Sequence, residues 1–206
     1  MEIDFGSLPS AARYGVLVQT VIPRPIAWIL SENAEGTLNL APFSYFSVVS
    51  SNPPTVAVSI GQRRDGSPKD TRANLLAKRP AVVHLGNLPL ASALNTTAAA
   101  LPPGESEIHA SGIELEPFPG GPLPRIKGSR VAFHARYSHH LPLAGGAQDL
   151  ILLELTHAYV DDAAITNAGD ESRAPDIDAA LLEPLARLGG NEYAELGRIF
   201  TLERPG

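Results

Sequence analysis

Two cations in this chain stand where they could grip an anion. Arg24 is framed by prolines in Pro23-Arg24-Pro25, and Lys69 opens Lys69-Asp70-Thr71 at the start of a helix-like stretch. Phosphate sites pair a fixed guanidinium or ammonium with backbone donors. Thr71 at a helix start strengthens that reading, because helix N-termini attract phosphate. The plainer alternative is that both cations are surface charges, the usual fate of Arg and Lys. Between them lies Asn39-Leu40-Ala41-Pro42-Phe43-Ser44-Tyr45-Phe46-Ser47. Prolines beside strand-like runs belong at strand starts, edges or bulges, where backbone donors need not pair within the sheet. A small anionic cofactor can use such donors, so residues 23–74 read as a binding wall.

Other polar residues speak less clearly. The hydroxyls of Ser44, Ser47, Ser50 and Ser51 suit either a polar ring system or the backbone of a turn. Asn95-Thr96-Thr97 suits helix capping or ligand contact, and spacing does not decide between them. Trp28 reads as a core or interface aromatic. Asp161, Asp162, Glu105 and Glu107 read as solvated loop charges, so no carboxylate pair for acid–base work is expected. Of six scattered histidines only His139 and His140 are adjacent. Strand neighbours point to opposite faces and make poor co-ligands, so no metal site is expected. Neither a G-x-G-x-x-G, a Walker A, an H-E-x-x-H nor a G-x-S-x-G motif is present.

The elements that must position these residues are mostly strands. Residues 16–22 and 26–31 are β-rich, and Asn33-Ala34-Glu35-Gly36 is turn chemistry that makes 26–41 a hairpin. Further strands are predicted at 43–50, 55–60, 81–85, 131–137 and 150–160. Asp70 or Thr71 suits the N-cap of a short helix through Leu76. Residues 89–100 favour a helix starting at Pro89. Residues 101–127 form an irregular excursion, 161–177 an acidic loop, and 178–200 a C-terminal helical segment. Few, short helices among many strands point to a single mainly β domain over 1–206, an antiparallel barrel or sandwich.

Composition bounds the rest. The chain has 206 residues, 44% hydrophobic and 18% charged, with a net charge of −6. That is globular and offers no whole-molecule attraction to nucleic acid or an anionic membrane. There are no cysteines, which excludes disulfides, thiolate metal sites and cysteine nucleophiles. The start, Met1-Glu2-Ile3-Asp4-Phe5, is acidic where a signal peptide needs a basic flank. No apolar run approaches the ~18 residues needed to span a bilayer. A cytoplasmic protein is expected.

Taken in order, the motifs resemble those of the flavin reductase-like FMN-binding family. They are Pro23-Arg24-Pro25-Ile26-Ala27-Trp28, Asn39-Leu40-Ala41-Pro42-Phe43-Ser44-Tyr45-Phe46, Ser51-Asn52-Pro53-Pro54 and Lys69-Asp70-Thr71-x-x-Asn74. Asn95-Thr96-Thr97, Pro124-Arg125-Ile126 and Leu185-x-Arg187-Leu188-Gly189-Gly190-x-x-Tyr193-x-x-Leu196-Gly197 follow. The resemblance implies an FMN-binding split β-barrel, antiparallel and Greek-key-like, with a few short helices, assembled as a homodimer. It implies Ala41, Pro42, Phe43 and Ser44 at the flavin ring. Ser59, Lys69, Asp70 and Thr71 would lie at the phosphate or ribityl end, with Arg24 close by. Asn95 and Tyr193 would reach the site from the helix and the C-terminal segment. The implied activity is electron transfer from NADH or NADPH to flavin, and onward to an oxygenase or other acceptor. The other function the resemblance allows is a non-enzymatic electron-transfer module reduced by a protein partner. Since the flavin carries the redox chemistry, no catalytic side chain is required.

Overall fold

The computed structural model describes residues 1–99, 101–102, 105–170 and 172–205. The end of the helix expected over 89–100, part of the 101–127 excursion and part of the 161–177 loop lie outside them. The chain opens with helix α1 (Ser10–Thr20) and the short strand β1 (Arg24–Pro25). Then come β2 (Ala27–Glu32), β3 (Leu38–Phe43), β4 (Phe46–Ser51), β5 (Pro54–Gly61), α2 (Asp70–Leu76) and β6 (Ala81–Leu85). A 3-10 turn at Leu88–Leu90 leads into α3 (Ala91–Thr96), followed by α4 (Glu107–Ser111), β7 (Leu115–Glu116) and β8 (Arg125–Ile126). Two long strands, β9 (Val131–Leu143) and β10 (Gln148–Val160), precede the short β11 (Ile165–Asn167), β12 (Asp176–Ile177), β13 (Ala186–Arg187) and β14 (Tyr193–Ala194).

Seven strands form one antiparallel sheet in the order β3-β2-β6-β9-β10-β5-β4. Its two edges, β3 and β4, are consecutive in the chain, separated only by Ser44 and Tyr45. A sheet whose opposite edges are joined by two residues must curl back on itself, and the result is a split barrel. One core cluster fills the curl with Ala27, Ile29, Val58, Ile60, Val83, Ile151 and Leu153, closed by Leu75 of α2. A second packs Trp28, Leu30, Leu40 and Val82 on the other face against Leu94 of α3, Phe118 and Ile126. Strand β2 is therefore buried on both sides, which explains the unbroken apolar run from Ile26 to Leu30. Trp28 is fully buried and donates its indole N–H to Thr97 at 2.8 Å, so it is a core aromatic.

Several sequence expectations need correcting. The β-rich run 16–22 lies largely in α1. Strand propensity is a weak prior, and here the C-terminal end of the helix is held by Arg24, which takes the carbonyls of Val18 and Val21. The 178–200 segment holds no helix. Pro184 and Gly189-Gly190 interrupt it, and its backbone bonds elsewhere: the Leu185 amide reaches Gly86, and the Leu188 carbonyl accepts from Arg24. Neither Asp70 nor Thr71 caps α2. Lys69 occupies that position without a side-chain cap, and the buried Thr71 hydroxyl accepts from Asn39. Strand β9 runs past Tyr137 to Leu143, because His139 and His140 still pair with β10 beyond a bulge at Ser138.

Candidate functional site

The cleft begins with the free edge of β3. Strand partners alternate, so Leu40 and Pro42 share the side turned away from β2. The Leu40 amide donates to Glu107 Oε2 at 3.1 Å, and Pro42 has no N–H to satisfy. An edge so arranged stays open without an orphaned donor at residue 42. Ala41 and Phe43 lie on the face of the inner core and Pro42 on the opposite face, so both sides of this edge contribute to one wall.

Helix α2 supplies the second wall and is anchored by buried polar contacts. Arg72 donates to Asp149 through Nε at 2.5 Å and to the Gly146 carbonyl through Nη2 at 2.8 Å. Asn74 Nδ2 donates to Ser31 Oγ and Asn33 Oδ1, tying the helix to the β2–β3 hairpin. Asn39 Nδ2 donates to Thr71 Oγ1 at 2.8 Å, which fixes the first turn of α2 against β3.

Between these walls is a chamber of about 780 Å³, within the size range of small-molecule sites. It is lined by Ala41, Pro42 and Phe43 on one side and by Lys69, Asp70 and Thr71 on the other. Loop residues 62–65 and Glu107 complete its polar end. Arg63 donates to Asp70 at 2.8 Å and to the Leu101 carbonyl, and its Nε is buried with no acceptor among the described residues. Lys69 holds its ammonium 5.6 Å from the centre of the Phe43 ring. Burial, with help from the Arg63 charge, lowers its pKa. Lys69 and Arg64 take no part in the ion pairs of the described residues. Burial raises the pKa of Glu107, against the lowering effect of the Leu40 amide. Glu107 is thus a buried strand-edge acceptor, not the solvated loop charge expected from sequence. Asp161 likewise pairs with Arg130 at 2.5 Å.

A smaller chamber, about 260 Å³, adjoins the first across Pro42, Phe43 and Ala98. Ser44, Asn95 and Tyr193 line it together with Arg187 and Asn191. The site residues expected from sequence thus line one chamber or the other, with two exceptions. Arg24 is buried, and its guanidinium is committed to the carbonyls of Val18, Val21 and Leu188 at 2.7–2.8 Å, with Ser44 Oγ at 3.4 Å. Ser59 Oγ accepts from Gln148 Nε2 at 2.8 Å and stays outside both chambers. The sequence reading passes over Arg63, Arg64 and Arg187 and takes Glu107 for a solvated charge. A cluster of three cations within seven residues, Arg63, Arg64 and Lys69, is the signal that pointed to the first two. Arg187 stood inside the Leu185-to-Gly197 motif without a role.

A curled antiparallel sheet with an open cleft along one edge defines a split-barrel binding protein. The chain belongs to the flavin reductase like domain family, whose signature spans residues 19–175. It is 34% identical to the uncharacterised protein YwrF of Bacillus subtilis, over 93% of each chain. It is 32% identical to the uncharacterised protein BH2278 of Halalkalibacterium halodurans, over 100% of this chain and 97% of that one. Among solved structures it resembles nitrilotriacetate monooxygenase component B from Bacillus cereus, at 33% identity and a TM-score of 0.88 over 98% of both chains. It also resembles the 2-nitrobenzoate 2-nitroreductase of Pseudomonas fluorescens, at 25% identity and a TM-score of 0.87, covering 100% of this chain and 96% of that one.

Proposed function

We propose that this flavin reductase-like protein binds FMN in the larger chamber and accepts electrons from NADH or NADPH, passing them onward through the flavin. The observation that carries the reading is the pairing, in one cleft, of an apolar shelf with cations that have no ion-pair partner among the described residues. Ala41, Pro42 and Phe43 offer the shelf for a ring system, and Asn39 and Thr71 offer polar groups for a ribityl chain. Lys69 and Arg64 offer charge for a phosphate. Bound flavin supplies the redox chemistry. The chain's own part is to bind the ring, keep water from one side of it and balance its charge.

A homodimer in the cytoplasm, serving an oxygenase or another electron acceptor, completes the proposal. Support for the dimer comes from the edge strand β4, where Val48 and Val49 are 72% and 53% exposed. An apolar sheet edge left open is a surface that a second subunit would cover. No helix of the described residues is long and apolar enough to cross a membrane. The first test is to titrate FMN into the purified protein and follow flavin fluorescence. Saturable quenching is expected, and its absence would remove FMN from the cleft.

A further inference from the structure

The smaller chamber has a chemistry of its own. Its lining holds the apolar residues Ile26, Pro42, Phe43 and Leu94, and no acidic side chain. Arg187 stands at its polar end, with the guanidinium 4.4 Å from the centre of the Tyr193 ring. Its Nη2 donates to the Gly190 carbonyl. Its Nη1 is buried with no acceptor among the described residues, and none of their ion pairs includes Arg187. The chamber is thus bordered by a guanidinium that no carboxylate of the described residues neutralises. An anionic group entering the chamber would supply that charge partner. Beside Arg187, the Tyr193 hydroxyl donates to Asn95 Oδ1 at 3.1 Å, so the Asn95 oxygen is occupied and its NH2 group remains to donate.

We propose that this chamber is a carboxylate subsite, where Arg187 and Asn95 anchor a small aromatic acid beside the ring end of the flavin cleft. The proposal rests on the flavin reading above. A planar guanidinium matches a carboxylate in two-point geometry, and Pro42 and Phe43 provide apolar surface for the ring. The volume of about 260 Å³ suits a single substituted ring; it falls below the ~300 Å³ at which drug-sized sites begin.

The test compares benzoate with its uncharged isostere benzamide on the FMN-saturated protein, by calorimetry and by the flavin difference spectrum. Benzoate is expected to bind at least about tenfold more tightly than benzamide, the effect of one charge-assisted contact. Arg187→Met should erase that preference, and Arg187→Lys should keep part of it. Equal binding of the two ligands by the wild-type protein would overturn the subsite, as would a preference that survives in Arg187→Met. A loss in Arg187→Met that falls on FMN affinity instead of benzoate would assign the guanidinium to the flavin and also overturn it. The wild-type comparison needs no variant to fold. FMN affinity measured on the same samples separates the two claims: failure to bind FMN strikes the flavin reading, whereas FMN binding without a benzoate preference strikes only the subsite.

Discussion

Lys69 holds its ammonium over Phe43 with no ion pair among the described residues, whereas Arg24 gives its donors to three backbone carbonyls. Two cations that look alike in sequence therefore answer to different experiments. Lys69→Ala is expected to weaken FMN binding by about 1–3 kcal/mol, the range for a charge-assisted contact, with little change in the denaturation midpoint. Arg24→Met should act the other way, lowering stability by roughly 2–5 kcal/mol because buried carbonyls lose their partner. Collapse of FMN affinity in Arg24→Met at full stability would return Arg24 to the phosphate site. A third residue makes a pH prediction. His84 is fully buried, with Nδ1 3.1 Å from the Trp28 carbonyl oxygen and Nε2 accepting from the Ile126 amide at 3.0 Å. Burial pushes its pKa from 6.5 down to about 4. Above the unfolded value both states are neutral and the group contributes nothing. As pH falls below it, the unfolded chain takes the proton first, so stability declines until about pH 4, by roughly 3 kcal/mol. Denaturation midpoints measured across that window should fall in the wild type and flatten in His84→Gln.

At the scale of elements, the cleft depends on where α2 sits, and α2 is held by its buried pair with β10. Arg72 and Asp149 are 8% and 2% exposed. Removing one partner leaves a buried charge, so Asp149→Ala is expected to cost about 3–5 kcal/mol and to weaken FMN binding indirectly. Unchanged stability by urea denaturation would show that the contacts of Asn39 and Asn74 suffice to hold α2. The β2–β3 hairpin was legible because its signals are local: an apolar run, Asn33 to Gly36, and a resumed strand. The motif Lys69-Asp70-Thr71-x-x-Asn74 was legible as a site, but its inner logic was not. Only the fold shows that Asn39 meets Thr71 and that Asn74 meets the hairpin turn. Helix α1 was illegible because its end is stabilised by Arg24 from outside the helix. The C-terminal segment misled for the same reason, since Gly86 and Arg24 claim backbone groups that a helix would have used.

At the scale of the whole molecule, two residues join the edges of a seven-stranded sheet, and the curl this forces leaves the β3 edge open as a cleft wall. The same curl leaves Val48 and Val49 exposed on the other edge. Val48→Glu should therefore shift the proposed dimer toward monomer in sedimentation, and an unaltered dimer would place the interface elsewhere. Sequence carried the mainly β class and the two facing stretches of the cleft, Ala41 to Phe43 and Lys69 to Thr71. It carried neither the joining of the edges nor the second chamber, because both depend on contacts between distant segments. The central claim is that this cleft holds a flavin reducible by a nicotinamide nucleotide. Its most direct test is anaerobic titration of the FMN-loaded protein with NADH and then NADPH, followed at the long-wavelength flavin band. Stoichiometric bleaching by at least one donor is the expected result; a band unchanged by both would contradict the claim.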